Sequence, residues 1–212
     1  MLLRSLILSL RLDGPGATVK RVGAHVFAQE QRYVFVRHLR PPSTPVELPT
    51  ETNGIVVRYM SQSDLGNMHI RRYQPRNLRY PYEAVVAARA GQIVGAAWYT
   101  DAVTADQPWY RAVEPHLIPP ARLHENMFVL PGDKAAAWAL AKTATDRLAT
   151  TGIHTIVGVI GAHNKPSILM SRLLGARLVA RLSVRHRFGH STTVVEAVTS
   201  DRDAAVTTSK RA

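Results

Sequence analysis

The sequence predicts a mixed-sheet α/β domain. Three observations predict this class: strand-length apolar runs alternate with helical runs from residue 55 onward, a β-hairpin pattern covers 83–100, and two strand-like segments follow one another near the C-terminal end. A chain of 212 residues is also long enough to bury a hydrophobic core without covalent cross-links.

Residues 1–50 are expected to form an N-terminal appendage that ends in a Pro-rich linker at 41–49. Residues 2–12 place their leucines and isoleucine on one helical face, and a short extended segment is expected at 33–37. The helix has three interpretations, which we give in descending order of preference: it packs on the core, it binds a partner, or it contacts a membrane surface peripherally. Its short apolar run lacks a cleavage site, which disfavours a secretory signal and favours a cytoplasmic location.

The predicted domain covers 51–198, because β-branched and apolar runs alternate there with helical patterns. Ala90 and Gly91 mark a tight turn that joins two strands into a hairpin. Residues 199–212 are polar and are expected to be a flexible tail. Strands are predicted at 55–60, 83–89, 92–100, 123–130, 154–160, 177–188 and 192–198, and helices at 63–76, 133–151 and 166–174.

A long loop is predicted at 101–122, where four prolines interrupt any regular pattern. Long irregular connections in compact domains are often functional lids. We interpret this loop as a lid over a ligand site, with Trp109 and Tyr110 as the residues that face the ligand. The alternative is a surface excursion that Trp109 anchors to the core.

The composition excludes several classes of site. Cysteine is absent, which excludes disulfide scaffolds, cysteine-type zinc fingers, iron–sulfur proteins and a thiol nucleophile. The nine histidines do not form a two-His helical motif with a carboxylate, so no metal site is expected. No run approaches the roughly 18–20 apolar residues of a transmembrane helix.

The net charge of +12 indicates a polyanionic partner or cofactor. The charge is uneven, because 147–195 contains seven lysines and arginines and no aspartate or glutamate. A solvated basic face is the simplest interpretation. The segment alternates arginine with core residues and has no recognition-helix motif, which argues against nucleic acid.

The most informative segment runs from Glu125 to Gly175. Its first strand leads through a turn at 130–133 into an Ala-rich helix, and such a helix start can bind an anion through unpaired N–H groups. Alternation along the strand places Glu125 on one face with Met127 and Val129, and His124 on the other face.

The order of residues from 123 to 180 resembles the GNAT superfamily of acyl-CoA-dependent N-acyltransferases. The resemblance rests on a Glu four residues before a Val, a turn into a helix and, after a further strand, an Asn-x-x-Ser helix start followed by Gly. The matching residues are Glu125, Val129, Pro131, Asn164, Pro166, Ser167, Ile168 and Gly175. The resemblance implies a GNAT-like, mostly antiparallel twisted sheet flanked by helices. It also implies acetyl-CoA or another acyl-CoA as co-substrate and a small-molecule or peptide amine as acceptor.

The same resemblance implies roles for individual residues. Glu125 is the expected general base for the amine, and Ser171 occupies the position of the general acid, where the family has Tyr. Backbone groups around Phe128 and Val129 are expected to bind the pantetheine arm and to polarise the thioester carbonyl. Further cofactor contacts are implied at two helix starts, by Lys134, Ala135, Ala137, Asn164 and Ser167.

Alternatives to these roles stay open. Glu125 could pair with an arginine for structural reasons, His124 could serve as the base, and Asn164 could simply cap its helix. Lys134 and three alanines replace the Arg or Gln and the glycines of the family pattern, and Asp133 at the helix N-cap would repel a pyrophosphate.

Three functions are therefore weighed. The leading one is an N-acyltransferase, most simply an N-acetyltransferase, that moves an acyl group directly from CoA to an amine. The second is a catalytically weakened GNAT-fold module that binds acyl-CoA or regulates a partner. The third is nucleic-acid binding through the basic segment. The sequence does not determine the oligomeric state.

Overall fold

The computed structural model describes residues 29–75, 82–187 and 190–198. The strands are β1 (Gln29–His38), β2 (Thr50–Thr52), β3 (Ile55–Tyr59), β4 (Tyr82–Arg89), β5 (Gln92–Thr100), β6 (Ala121–Val129), β7 (Thr155–Gly161), β8 (Arg177–Arg187) and β9 (His190–Ala197). The α-helices are α1 (Met68–Tyr73), α2 (Tyr110–Val113), α3 (Lys134–Thr150) and α4 (Lys165–Leu173), and two 3₁₀ turns cover Gln62–Gly66 and Glu114–His116.

The strands form one sheet in the order β2-β3-β4-β5-β6-β7-β1-β8-β9. Neighbouring strands are antiparallel except for β6 and β7, which are parallel. The predicted fold class, a mixed and mostly antiparallel sheet flanked by helices, is confirmed. The predicted turn of the β4–β5 hairpin is also present, with positive φ angles of 48° at Ala90 and 78° at Gly91.

Strand β1 occupies an unexpected position. It lies between β7 and β8 inside the sheet, although we expected residues 29–38 to belong to the N-terminal appendage. Its centre, Val34-Phe35-Val36, is buried on both faces, which explains how an N-terminal segment becomes an inner strand. A domain boundary at residue 50 would therefore separate this strand from its own sheet. The predicted helix at 2–12 and the tail at 199–212 lie outside the described residues.

Two hydrophobic layers cover the two faces of the sheet. Helix α3 packs small and apolar residues such as Leu140 and Leu148 against Ile55, Val57 and Val85 on the strands beneath it. On the opposite face, Trp109 and other residues of the 101–122 segment cover β1, β7 and β8. No helix in the described ranges is long and apolar enough to cross a membrane.

Two predicted elements differ from the structure. The helix expected at 63–76 is interrupted at Asn67, whose extended backbone ends the 3₁₀ turn and whose side chain caps α1 by accepting from His69 and Ile70 N–H groups. The loop expected at 101–122 contains helix α2 and the second 3₁₀ turn, and its last two residues already belong to β6.

Candidate active site

A cavity opens where β6 and β7 stop pairing. Their parallel ladder runs from Ala121 opposite Thr155 to His124 opposite Gly158, and both strands continue beyond it. The cavity, which we call the splay cavity, measures about 170 Å³ and reaches beneath α3 and α4. Since the ladder ends at His124, the edge of β6 that faces β7 has no strand partner over 125–129 and is available to bond a ligand.

A β-bulge in β6 lies at the mouth of this cavity. Trp98 of β5 pairs with Asn126, but the next residue of β5, Tyr99, pairs with His124. Glu125 is therefore the extra residue of the bulge and has no partner on β5. Bulges bend a strand and redirect side chains, and they are frequent next to active sites.

The bulge corrects the predicted orientation of Glu125. Met127 and Val129 pack with Tyr99 against the core beneath α3. Glu125 instead accepts a hydrogen bond of 3.1 Å at Oε1 from the hydroxyl of Thr100, the neighbour of Tyr99 that points to the other side of the sheet. The strict alternation that grouped Glu125 with Met127 and Val129 is therefore wrong, because one inserted residue shifts the alternation.

Glu125 lies between two cavities. The second, which we call the loop-side cleft, measures about 320 Å³ and is lined by Trp109 and Leu182 on the face opposite α3. Glu125, His124 and Val159 line both cavities. Within the described part of the chain, Glu125 forms no ion pair, so the alternative in which an arginine neutralises it finds no support there.

His124 provides a second polar group at the same position. Its ring stacks on Tyr99 with the ring centroids 4.8 Å apart. Its Nε2 is out of contact with solvent and has no hydrogen-bond partner among the described residues. Desolvation lowers the pKa of His124 to about 4, while a hydrogen bond with the Asn126 backbone acts in the opposite direction. The imidazole is therefore neutral near pH 7.

Helix α4 supplies the predicted residues on the other wall. Asn164, Ser167 and Ser171 all line the splay cavity together with Glu125. Asn164 Oδ1 accepts a hydrogen bond of 3.2 Å from the Ser167 N–H, so its side chain caps α4, as one of the two open alternatives had it. Ser171 is half-buried. Its side chain is short, and its hydroxyl is a weak acid.

The other predicted cofactor residues lie away from the cavity walls. The Phe128 side chain is buried against Tyr73 and Trp98, and Val129 packs on the α3 core, so only their backbone groups can serve a ligand. Lys134 and Ala135 are exposed in the first turn of α3, and Ala137 is half-buried one turn along. They form the helix start beside the cavity and do not line it.

Asp133 caps α3, as the sequence predicts, and it also has a cationic partner. The Ala136 N–H donates to Asp133 Oδ1 at 2.9 Å. Arg89 at the end of β4 reaches the same carboxylate with two contacts, of 2.9 and 3.0 Å. The predicted repulsion of a pyrophosphate is therefore offset by a guanidinium. Sequence reasoning missed Arg89, because 44 residues separate the two and no local pattern links them.

The two residues predicted for a lid are placed differently from each other. Trp109 is 3% exposed and packs with Val113 in the core beneath the 101–122 segment, while one part of it borders the loop-side cleft. Tyr110 is half-buried, opens α2 and lines neither cavity. Within the described ranges, no group of three or more His, Asp and Glu side chains is suited to a metal ion.

No protein-family model and no curated protein matches this sequence. Solved structures do match its fold. A protein described as an acetyltransferase from the GNAT family, from Novosphingobium aromaticivorans, aligns at 15% identity with a TM-score of 0.50 over 82% of this chain and 67% of its own.

A tandem GNAT protein from the clavulanic acid biosynthesis pathway aligns at 14% identity with a TM-score of 0.51, over 89% of this chain and 60% of its own. This chain therefore spans about three fifths to two thirds of the length of these two structures. At such low identity the likeness shows the fold alone, and that fold is the GNAT fold.

Proposed function

We propose that the protein is an acyl-CoA-dependent N-acyltransferase that moves an acyl group, in the simplest case acetyl, directly from a CoA thioester to an amine. The observation that carries this proposal is the position of Glu125. A single carboxylate sits on a bulge between two cavities on opposite faces of the sheet, at the point where the β6 backbone loses its strand partner.

The residues around the splay cavity suit a CoA thioester. The unpaired edge of β6 offers backbone groups to the amides of a pantetheine arm. The exposed first turn of α3 carries Lys134, and Arg89 offsets the charge of Asp133 beside it. A bound CoA thioester supplies the activated acyl carbonyl.

Glu125 removes a proton from the ammonium form of the acceptor, because only the neutral amine is nucleophilic. Backbone N–H groups of β6 polarise the acyl carbonyl while the carbon–nitrogen bond forms and the carbon–sulfur bond breaks. Ser171 or a water molecule passes the surplus proton of the attacking nitrogen to the departing sulfur, so that the amide and the free CoA thiol are the products. The 212 residues contain no cysteine, which agrees with direct transfer rather than transfer through a cysteine acyl-enzyme.

The test is a thermal-shift titration with acetyl-CoA and longer acyl-CoAs, followed by an amine-acetylation assay. A ligand that binds only the folded state at 100 times its Kd adds about 2.7 kcal/mol, which raises Tm by roughly 5–10 °C for a chain of this size. ATP at the same concentration is the control for a general polyanion effect. If none of the acyl-CoAs raises Tm, the proposal is contradicted.

A second candidate function has its own supporting observation. The Asp133 side chain accepts a hydrogen bond from the Ala136 N–H, which is then not free to bind a phosphate. Ser171 is in addition a weak acid. Both features suit a module that binds acyl-CoA without efficient transfer. Saturable acetyl-CoA binding by calorimetry, together with no product from any amine tested, would favour this module over the enzyme.

A further inference from the structure

A second polar cavity lies beside the splay cavity, and Arg37 and Leu174 line both. Strand β1 runs antiparallel to β7, so that Arg32 lies opposite Gly161 and His38 lies opposite Thr155. The six residue steps from Arg32 to His38 span roughly 20 Å. The cavity, which we call the basic cleft, begins at the His38 end and measures about 420 Å³.

The basic cleft collects positive charge from four separate segments. Its polar walls are the end of β1, the residues just after it, the second 3₁₀ turn and the start of β8. No aspartate or glutamate of the described residues lines it. The basic side chains that line it are Arg37, His38, Arg40, His116 and Arg177.

None of the three guanidinium groups of the cleft forms a salt bridge with a carboxylate of the described residues. Arg40 and Arg177 are exposed, and neither forms an ion pair within the described ranges. Like charges at short range repel one another, and an anion between them removes that cost. Arginine is also the side chain best shaped to bind phosphate and carboxylate oxygens through two parallel N–H groups.

Arg37 is the most constrained of the three. It is half-buried, and its Nη1 donates to the Thr145 hydroxyl at 3.1 Å, the one side-chain hydrogen bond it forms within the described structure. A guanidinium carries five N–H groups, so this bond leaves donors for a ligand. Desolvation lowers the pKa of Arg37, with Asp146 acting in the opposite direction, and the Asp146 carboxylate itself pairs with Lys142.

The floor and rim of the cleft are well ordered by packing. Val36 and Val179 are buried and line its base. His38 Nε2 lies 2.8 Å from the carbonyl oxygen of His116, which ties the end of β1 to the 3₁₀ turn. The basic side chains therefore line a concavity whose wall includes buried residues.

We propose that the basic cleft binds a small organic or inorganic anion with at least two phosphate or carboxylate groups, at a site that adjoins the splay cavity and shares Arg37 with it. A volume of about 420 Å³ exceeds the need of one phosphate group and suits a compact polyanion. The inference rests on the cleft alone and does not depend on acyl transfer.

The test measures binding of inorganic pyrophosphate and of citrate by calorimetry at constant ionic strength, with sodium chloride as the reference. The double variant Arg40→Gln/Arg177→Gln is expected to lose at least tenfold in affinity, because each lost charge-assisted hydrogen bond weakens binding. The control Arg71→Gln/Arg185→Gln removes two exposed charges outside the cleft and is expected to retain the wild-type affinity.

Three outcomes would overturn the proposal. The first is no measurable binding of either anion by the wild type, and the second is an equal loss of affinity in both double variants. The third is that pyrophosphate does not bind, whereas duplex DNA binds tightly and only the cleft variant loses that binding. The assay measures anion binding and involves no acyl transfer, so a failure of the proposed enzyme activity leaves this test intact.

Discussion

Arg89 and Asp133 form a two-pronged ion pair, with contacts of 2.9 and 3.0 Å, at the N-terminus of α3. The same carboxylate caps the helix through the Ala136 N–H. A cap that would by itself repel phosphate is thus held beside a compensating cation, and the local charge at this helix start depends on both residues.

The first prediction concerns this pair and rests on the proposed function. Asp133→Asn keeps an N-cap oxygen but removes the negative charge, so the affinity for CoA should rise roughly two- to fivefold. Arg89→Gln should lower the affinity by a similar factor, because it leaves the carboxylate uncompensated. Calorimetric Kd values for CoA measure both effects, and a weaker affinity in Asp133→Asn would show that the pair does not face the ligand.

The second prediction concerns the proposed base. Glu125→Gln should lower kcat/KM by about 10²–10⁴ while the affinity for acetyl-CoA stays unchanged, since the carboxylate acts on the amine. The residual rate should rise about tenfold per pH unit below the pKa of the acceptor, because solvent must then supply the neutral amine. Glu51→Gln on β2 is the matched control and should behave as wild type. A loss confined to KM would assign Glu125 to substrate binding.

The third prediction concerns stability. Arg58 binds Asp64 through contacts of 2.7 and 2.8 Å, and the Ser61 N–H donates to the same carboxylate at 2.7 Å. Asp64→Asn should lower the free energy of unfolding by about 2 kcal/mol, measured by denaturant titration at pH 7. Asp146→Asn, which breaks an i,i+4 pair with the exposed Lys142, should cost less than about 1 kcal/mol.

The Asp64 carboxylate also predicts a pH dependence. The Arg58 guanidinium holds the pKa of Asp64 well below its usual range, so the unfolded chain binds this proton more readily than the native state does. The stabilisation is present above the unfolded pKa of about 4 and declines as the pH falls further. Acidification from pH 5 to pH 3 should therefore destabilise the wild type more than Asp64→Asn, and equal slopes would contradict this assignment.

The fourth prediction concerns His124. Its pKa is about 4 in the native state against 6.5 in an unfolded chain. Between these values the unfolded chain binds a proton that the native state does not, so the free energy of unfolding should decrease as the pH falls from 6.5 toward 4. His124→Gln should flatten this slope, while His154→Gln at an exposed position should preserve it. An NMR titration of His124 near pH 6.5 would contradict the prediction.

Local patterns predicted the elements whose determinants are close in sequence. The hairpin at β4 and β5 follows from two alternating runs around Ala90-Gly91, and α3 follows from a cap at Asp133 before an Ala-rich run. The resemblance over 123–180 pointed to Glu125 and the start of α4, and the structure places these residues on one cavity.

Long-range pairing explains what the sequence could not predict. The bulge at Glu125 depends on the register between β5 and β6, and one inserted residue is invisible in a run that looks regular. The same holds for the basic cleft, where Arg37 and Arg177 are brought together only because β1 enters the sheet beside β8.

The position of β1 also sets the order in which the molecule can assemble. Val36 lies beside Val157 on one side and Arg177 on the other, contacts that span more than 120 residues of chain. Such contacts form slowly, because a long loop must close first. During synthesis the apolar centre of β1 is made before β7 and β8, and it stays unpaired until both of these strands have been made. Strands β8 and β9 in turn attach to the rest of the sheet only through β1. Removal of residues 29–38 would therefore leave two unpaired strand edges and a C-terminal hairpin separated from the sheet, with a strong tendency to aggregate.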